Sequence, residues 1–196
     1  RYNKVSGTSV PRDFVELPSQ VMENWAADPE VLKVYARHYK TGQPIPQELI
    51  DKLENSGHFN QGFVTTEFMA AALLDMAYHT RTTTDPVNPN EFEKATLQKI
   101  GLIPEITVRY RSPYFQHIFA GGYSSGYYAY TWAEVLDADA FEAFRETGNI
   151  FDPEKAKSFR ENILSKGGSE DAMMLYQKFR GKEPSIDPLL KRKGLK

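Results

Sequence analysis

Apolar side chains recur at three- and four-residue spacing along most of the chain, and Pro, Gly, Asn and Asp interrupt them at short intervals. Phe14, Val15, Leu17, Val21, Met22 and Trp25 predict a helix from about Arg12 to Ala26. Pro11 and Asp13 open it, and Pro18 marks a kink or the start of a second segment. Asp28-Pro29-Glu30 starts the next helix, predicted to about Lys40 with Val31, Leu32, Val34 and Tyr35 inward, and Thr41-Gly42-Gln43-Pro44 stops it. Pro46 opens a short amphipathic helix through Leu49, Ile50 and Leu53 that closes near Ser56-Gly57. From Gln61 to His79 lies the most apolar helix, carrying Phe63, Phe68, Met69, Leu73, Leu74 and Met76. Its alanines at 70, 71, 72 and 77 would admit close neighbours, and it is the expected central core helix.

Thr82 to Asn90 reads as a loop, with Asn90 capping a helix to about Ile100. Ile106 to Tyr110 is the best strand-like or extended stretch. A further helix runs through Trp132, Val135, Leu136, Ala140, Phe141 and Phe144 to Gly148. Asp152-Pro153 starts one to about Leu164, and Ser169-Glu170-Asp171 caps another through Leu175 and Phe179, stopped at Gly181. The last turn is Ile186 to Leu190. The expected fold is all-α, with eight or nine helices, no internal repeat and no domain-sized linker.

One stretch departs from simple packing. Tyr114 to Trp132 reads Tyr-Phe-Gln-His-Ile-Phe-Ala-Gly-Gly-Tyr-Ser-Ser-Gly-Tyr-Tyr-Ala-Tyr-Thr-Trp. Gly121, Gly122 and Gly126 allow positive φ or close approach of a ligand. His117, Tyr123, Tyr127 and Tyr130 carry hydrogen-bonding tips on apolar bodies. After Gly126 the spacing turns helical, which places Tyr127, Tyr130 and Glu134 on one face. This is either a loop that grips a polar ligand or a tyrosine-rich corner of the core. Tyr128 falls off that face and reads as packing.

Composition narrows the classes. The chain has 40% hydrophobic and 26% charged residues and a net charge of -2, which gives no electrostatic case for nucleic acid. The basic tail Lys191-Arg192-Lys193 reads as a solvated end. With no Cys, thiolate metal sites and disulfides are excluded and the compartment is left open. No apolar run approaches the ~20 residues that span a bilayer; the longest, Phe68 to Ala77, contains Asp75. The chain starts at Arg1 without a signal-peptide pattern, which leads us to expect a piece of something longer.

The chemistry on offer is partial. His38, His58 and His79 sit at helix ends or in a turn and read as structural. No H-E-x-x-H pair, G-x-S-x-G elbow or phosphate-binding loop is present. Glu16, set between Val15 and Leu17, is a carboxylate in apolar surroundings, which calls for a basic partner or a metal. Arg109 and Arg111 suit surface ion pairs more than a substrate carboxylate.

Two long stretches, Gly7 to Trp25 and Tyr114 to Leu136, resemble the thimet oligopeptidase (M3) family of zinc metallopeptidases, and most of all its bacterial peptidyl-dipeptidase (dipeptidyl carboxypeptidase) branch. The resemblance runs over essentially the whole chain. It implies a metal role for Glu16, which matches the third zinc ligand in the family's Phe-Val-Glu-x-Pro-Ser-Gln motif. The other ligands lie in a H-E-x-x-H helix, expected upstream of Arg1, so 1–196 would be the C-terminal portion of one catalytic domain. His117, Tyr123, Tyr127 and Tyr130 match residues that face the zinc across the substrate and stabilise the oxyanion. Gly121 and Gly122 would lie against the peptide. The resemblance further implies short peptide substrates, release of C-terminal dipeptides, the N-terminal part of the same protein as partner, and no nucleic-acid or membrane partner. It implies a cytoplasmic location, with the periplasm as the alternative. Two other readings stand beside it, an endo-acting oligopeptidase of the same family and a non-catalytic helical peptide-binding module. The 196 residues alone are expected to be inactive.

Overall fold

A computed structural model describes residues 3–196. Among the described residues the regular structure is helical, with one isolated antiparallel bridge between Arg37 and Pro44 and no strand. The α-helices are α1 (Leu17–Ala27), α2 (Pro29–Tyr35), α3 (Gln47–Ser56), α4 (Gln61–His79), α5 (Pro89–Lys99), α6 (Gln116–Phe119), α7 (Ala129–Arg145), α8 (Pro153–Phe159), α9 (Ala172–Arg180) and α10 (Asp187–Arg192). The all-α expectation holds. The count is one or two above that expected, and α6 is a single turn.

The chain divides into two compact units, one of residues up to Phe59 with Trp132–Lys196, the other Asn60–Thr131. In the first, Leu17, Val21 and Trp25 form a four-residue-spaced stripe on α1. Leu17 and Val21 join a core with Leu136, Phe141 and Phe144 of α7, Phe159 of α8 and Leu175, Tyr176 and Phe179 of α9. Trp25 meets Phe141 and Phe144 edge-on at 4.7 and 4.8 Å and donates its indole N–H to the Ile150 carbonyl at 3.0 Å. Pro18 sits in the first turn of α1, where its missing N–H costs nothing, so it starts the helix and kinks nothing. The helix expected from Arg12 therefore begins at Leu17.

A buried ionic cluster crosses this core. Arg180 pairs with Asp139 (Nε–Oδ2 3.0 Å) and with Glu146, and the Tyr176 hydroxyl donates to Asp139 Oδ2 at 2.7 Å. Arg192 of α10 pairs with the buried Asp137 of α7. The carboxylate of Glu134 is held by Lys193 at 3.2 Å.

The helix predicted through Lys40 stops at Tyr35. Residues 36–45 form a hairpin-like turn with His38 N–H to Gln43 O at 2.8 Å and Ile45 N–H to Ala36 O at 2.8 Å. Backbone pairing across that turn replaces the helical bonds. Only Leu32 of α2 is buried; Val34 and Tyr35, expected inward, are exposed.

In the second unit, α4 buries Ala70, Ala71, Ala72, Leu74 and Asp75, while Phe63, Met69, Leu73 and Met76 are exposed. It is apolar on more faces than its neighbours cover, so it is half a core helix. Asn88, not Asn90, caps α5 by accepting from the amides of Asn90 and Glu91 at 3.0 and 3.3 Å. Residues 106–108, expected to be strand-like or extended, form no strand and the chain bends at 109 and 110, with Ile106 and Val108 buried. The buried Glu93 of α5 fixes the end of this segment. It accepts from the Ser112 amide (2.7 Å) and hydroxyl (2.8 Å) and pairs with Arg111. No helix among the described residues is long and apolar enough to cross a membrane.

Candidate active site

The glycine–tyrosine stretch folds as a short turn of helix, a loop, and the start of α7, all within the second unit. α6 ends where the amides of Ala120 and Gly121 both reach the Gln116 carbonyl at 2.8 Å. A Cβ on Gly121 would lie 2.8 Å from His117 Cα and 3.0 Å from its carbonyl oxygen, so any side chain there would push the turn apart. Gly122 takes φ +80°, which glycine alone adopts freely. The chain then reverses, and the Tyr123 amide donates to the His117 carbonyl at 2.9 Å.

This reversal gathers the sequence-predicted residues. The His117 ring centroid lies 6.0 Å from Tyr123, 5.7 Å from Tyr127 and 6.3 Å from Tyr130. Tyr123 and Tyr130 stack at 5.0 Å, and Tyr130 meets Tyr127 at 5.2 Å. His117, Tyr123 and Tyr130 are half-buried, and Gly121 and Gly122 are exposed. These five form a surface with imidazole and phenol donors on an aromatic base.

Tyr127 differs from them. Its ring is buried among Ala71, Ala72, Phe115 and Ile118. Burial pushes its phenol up to about 12, with the nearby Tyr110 adding to the rise and a hydrogen bond from Arg109 opposing it. The phenol is therefore protonated at neutral pH and available as a donor or acceptor. Tyr128 is exposed. Tyr127 builds the core corner, and His117, Tyr123 and Tyr130 stand half-buried beside it.

Two further residues belong to the site. Tyr110 lies 4.8 Å from His117 and 5.3 Å from Phe115, so it carries the imidazole from behind. Arg109 is exposed, lies over Phe68 and Tyr110 at 5.8 and 5.9 Å, and hydrogen-bonds the Tyr127 side chain. No carboxylate pairs with it among the described residues, whereas Arg111 takes the ion pair expected of both.

The residue that sequence reasoning missed is Asp75. Its side chain is fully buried on α4, accepts from the amides of Ser125 (3.0 Å) and Tyr127 (2.9 Å), and meets His79 Nδ1 at 2.7 Å. Nδ1 also lies 3.0 Å from the Asp75 carbonyl, so both neighbours are acceptors and this nitrogen carries the proton. The available signal was a charge inside the longest apolar run, one helical turn before a histidine. Of the other two histidines, His38 Nδ1 accepts from the Lys40 and Thr41 amides, and the His58 ring lies beside Gly194.

Glu16 lies in the first unit, in the position that caps α1 and not within a helix, and is half-buried. Its Oε2 accepts from the Ser19 hydroxyl at 2.9 Å, and Ser19 also bonds its carbonyl at 3.0 Å. A carboxylate oriented by a neighbouring hydroxyl is what a zinc ligand requires. Catalytic zinc takes three protein ligands, and no cluster of three or more candidate ligands occurs among the described residues. Glu16 has the donor chemistry of one such ligand.

Comparison with known proteins supports one grouping. The dipeptidyl carboxypeptidase of Escherichia coli (strain K12) is 46% identical over 197 residues, covering 100% of this chain and 29% of that protein. Oligopeptidase A of the same organism is 44% identical over 194 residues, covering 98% and 28%. Saccharolysin of Saccharomyces cerevisiae (strain ATCC 204508 / S288c) is 37% identical over 193 residues, covering 95% and 26%. The chain thus spans less than a third of the length of the curated relatives it matches. The model of peptidase family M3 matches residues 1–195. With that match over nearly every residue and relatives this similar across the whole chain, the chain belongs to peptidase family M3.

Proposed function

We propose that these residues are the C-terminal portion of the catalytic domain of a zinc-dependent peptidyl-dipeptidase, which releases C-terminal dipeptides from short peptides. The observation that carries the reading is the half-buried His117, Tyr123 and Tyr130 surface, built on a glycine turn and offering imidazole and phenol donors. Such donors suit the oxyanion that forms when a peptide carbonyl is attacked. A positioned donor in a water-poor site is worth about 2.7–4 kcal/mol to that transition state. In this reading His117, Tyr123 and Tyr130 all aim at the oxygen that becomes charged. Tyr127 sits behind them and keeps Tyr130 in place through its ring contact. Gly121 and Gly122 leave the peptide backbone room to lie against the loop.

Glu16, oriented by Ser19, would be one ligand of the zinc. When bound, the metal supplies a Lewis acid that polarises the carbonyl and activates water. Its remaining ligands and the general base would come from residues outside these 196. The isolated chain is then inactive, because one carboxylate does not hold zinc in catalytic geometry.

The branch within the family rests on the 46% identity to dipeptidyl carboxypeptidase; with oligopeptidase A at 44%, an endo-acting oligopeptidase of the same family is the second reading. Incubating the full-length zinc-loaded protein with a ten-residue peptide separates the two. Stepwise dipeptide release from the C-terminus is expected, internal products identify the endo-acting alternative, and no cleavage of any short peptide overturns both.

A further inference from the structure

We propose that Asp75, backed by His79, is the positioning residue of the tyrosine surface, setting the loop for turnover and not for substrate capture. This rests on the peptidase reading above, but the contacts that support it do not. Asp75 is fully buried, and a buried carboxylate is tolerated only where its oxygens are satisfied. Here Oδ1 takes the Ser125 amide and the His79 Nδ1 proton, and Oδ2 takes the Tyr127 amide. The partners lie 50 and 52 residues away in sequence, on the loop and not on Asp75's own helix.

The two amides flank Gly126 at the point where the loop becomes α7. Ser125 takes φ +55°, a left-handed conformation that an ordinary side chain avoids. Two successive donors on a left-handed bend form a concave anion seat, and Asp75 fills it with an internal charge. Tyr123 lies two residues before the first held amide, Tyr127 carries the second, and Tyr130 lies three residues after it. Every tyrosine of the surface is therefore tied to one carboxylate within a few bonds. Asp75 reaches none of their hydroxyls, so its influence is on position alone.

The chemistry demands a carboxylate. Three donors converge on the group, and an amide side chain has one oxygen to offer and would turn its own N–H₂ toward an amide N–H. His79 supplies the third donor from solvent-accessible ground, with its side chain 23% exposed, and fixes the carboxylate's rotation. Donors aimed at an oxyanion act only when that charge exists, so displacing them lowers kcat and leaves KM nearly unchanged. A loop shift of about 1 Å costs up to ~100-fold.

The test uses the full-length zinc-loaded enzyme. Asp75→Asn should lower kcat by about 10–100-fold, with KM within about threefold of the parent and zinc content unchanged. Adding Ser125→Gly should recover part of the loss, because glycine holds the left-handed bend without help. Unchanged kcat overturns the proposal, and so does a loss that Ser125→Gly leaves untouched, which would mark a role in folding only. If Asp75→Asn does not fold, His79→Gln replaces it; kcat reduced by at least about threefold at unchanged KM supports the proposal, and parental kcat overturns it. If the parent enzyme cleaves no peptide, the peptidase reading fails separately. The anchor is then read on the 196-residue chain by tyrosine absorbance titration. Release of the loop in Asp75→Asn should bring the Tyr127 phenol down from about 12 toward its ordinary value of 10.0, and an unchanged titration overturns the proposal.

Discussion

Tyr123 and Tyr130 stack with centroids 5.0 Å apart and planes 17° from parallel, which joins the far end of the glycine loop to the first turn of α7. An aromatic pair of this kind contributes about 0.5–1.5 kcal/mol beyond its burial, enough to hold both hydroxyls on one surface. Tyr130→Phe keeps the ring and removes the donor. In the full-length enzyme it should lower kcat by at least ~10-fold with zinc retained. Steady-state kinetics with metal analysis checks this, and an unchanged kcat removes Tyr130 from the oxyanion role.

Gly121→Ala tests the turn beneath that surface. The new methyl would meet backbone atoms of His117 at 2.8 and 3.0 Å, and backbone cannot swing aside as a long side chain can. The same carbonyl accepts from Tyr123, so His117 and Tyr123 move together. Overpacking of this kind costs about 1–3 kcal/mol, read as a lowered unfolding midpoint. A midpoint equal to the parent's would show that the turn relaxes freely.

Glu16→Gln should strip zinc from the full-length protein, since an amide is a poor ligand where a carboxylate is needed. Ser19→Ala should keep the ligand and loosen its orientation, weakening zinc affinity about 10–100-fold. Competition with a chelator measures both. Full zinc content in Glu16→Gln would exclude this carboxylate from the site.

The parts of the fold legible beforehand are those with local causes. α4 ran between the residues expected because Gln61 to His79 contains no proline and its one glycine, Gly62, falls in the first turn, and α9 because Asp171 caps it and Gly181 ends it in a left-handed conformation. Less legible were features decided by distant partners. Nothing near Lys40 announces that residues 36–45 pair across a turn, and nothing in α2 says that Val34 and Tyr35 face outward. The site followed the same rule. His117, Tyr123 and Tyr130 stood out through composition and neighbouring glycines, whereas Asp75 looks like a flaw in an apolar helix until its partners on the loop are seen. Tyr127 was chemically correct as a polar aromatic, but its burial depends on α4 alanines that sequence spacing does not connect to it.

Arg180 carries the stability of the first unit's ionic core. Replacing it with Leu would leave Asp139 buried with only the Tyr176 hydroxyl, and breaking such a pair costs about 3–5 kcal/mol. Adding Asp139→Asn should return part of that loss by removing the stranded charge. Denaturant unfolding of the two single variants and the double measures the coupling. A loss below ~1 kcal/mol for Arg180→Leu would place the cluster among ordinary surface pairs.

Tyr127 predicts an alkaline limit to stability. Its phenol is raised from 10.0 to about 12 in the folded chain, chiefly by burial, so the folded state holds its proton where the unfolded state releases it. The contribution is complete below pH 10 and disappears as pH rises from 10 to about 12, the window in which only the unfolded chain is ionised. A shift of this size corresponds to roughly 2–3 kcal/mol. Tyr176, raised by burial and by its bond to Asp139, and Tyr78, raised by burial, act in the same direction. Tyr127→Phe should therefore unfold at nearly the parent's denaturant midpoint at pH 8 and lose less of it by pH 11.5. Midpoints that fall in parallel over that range would show that Tyr127 ionises as freely in the folded chain as in the unfolded one.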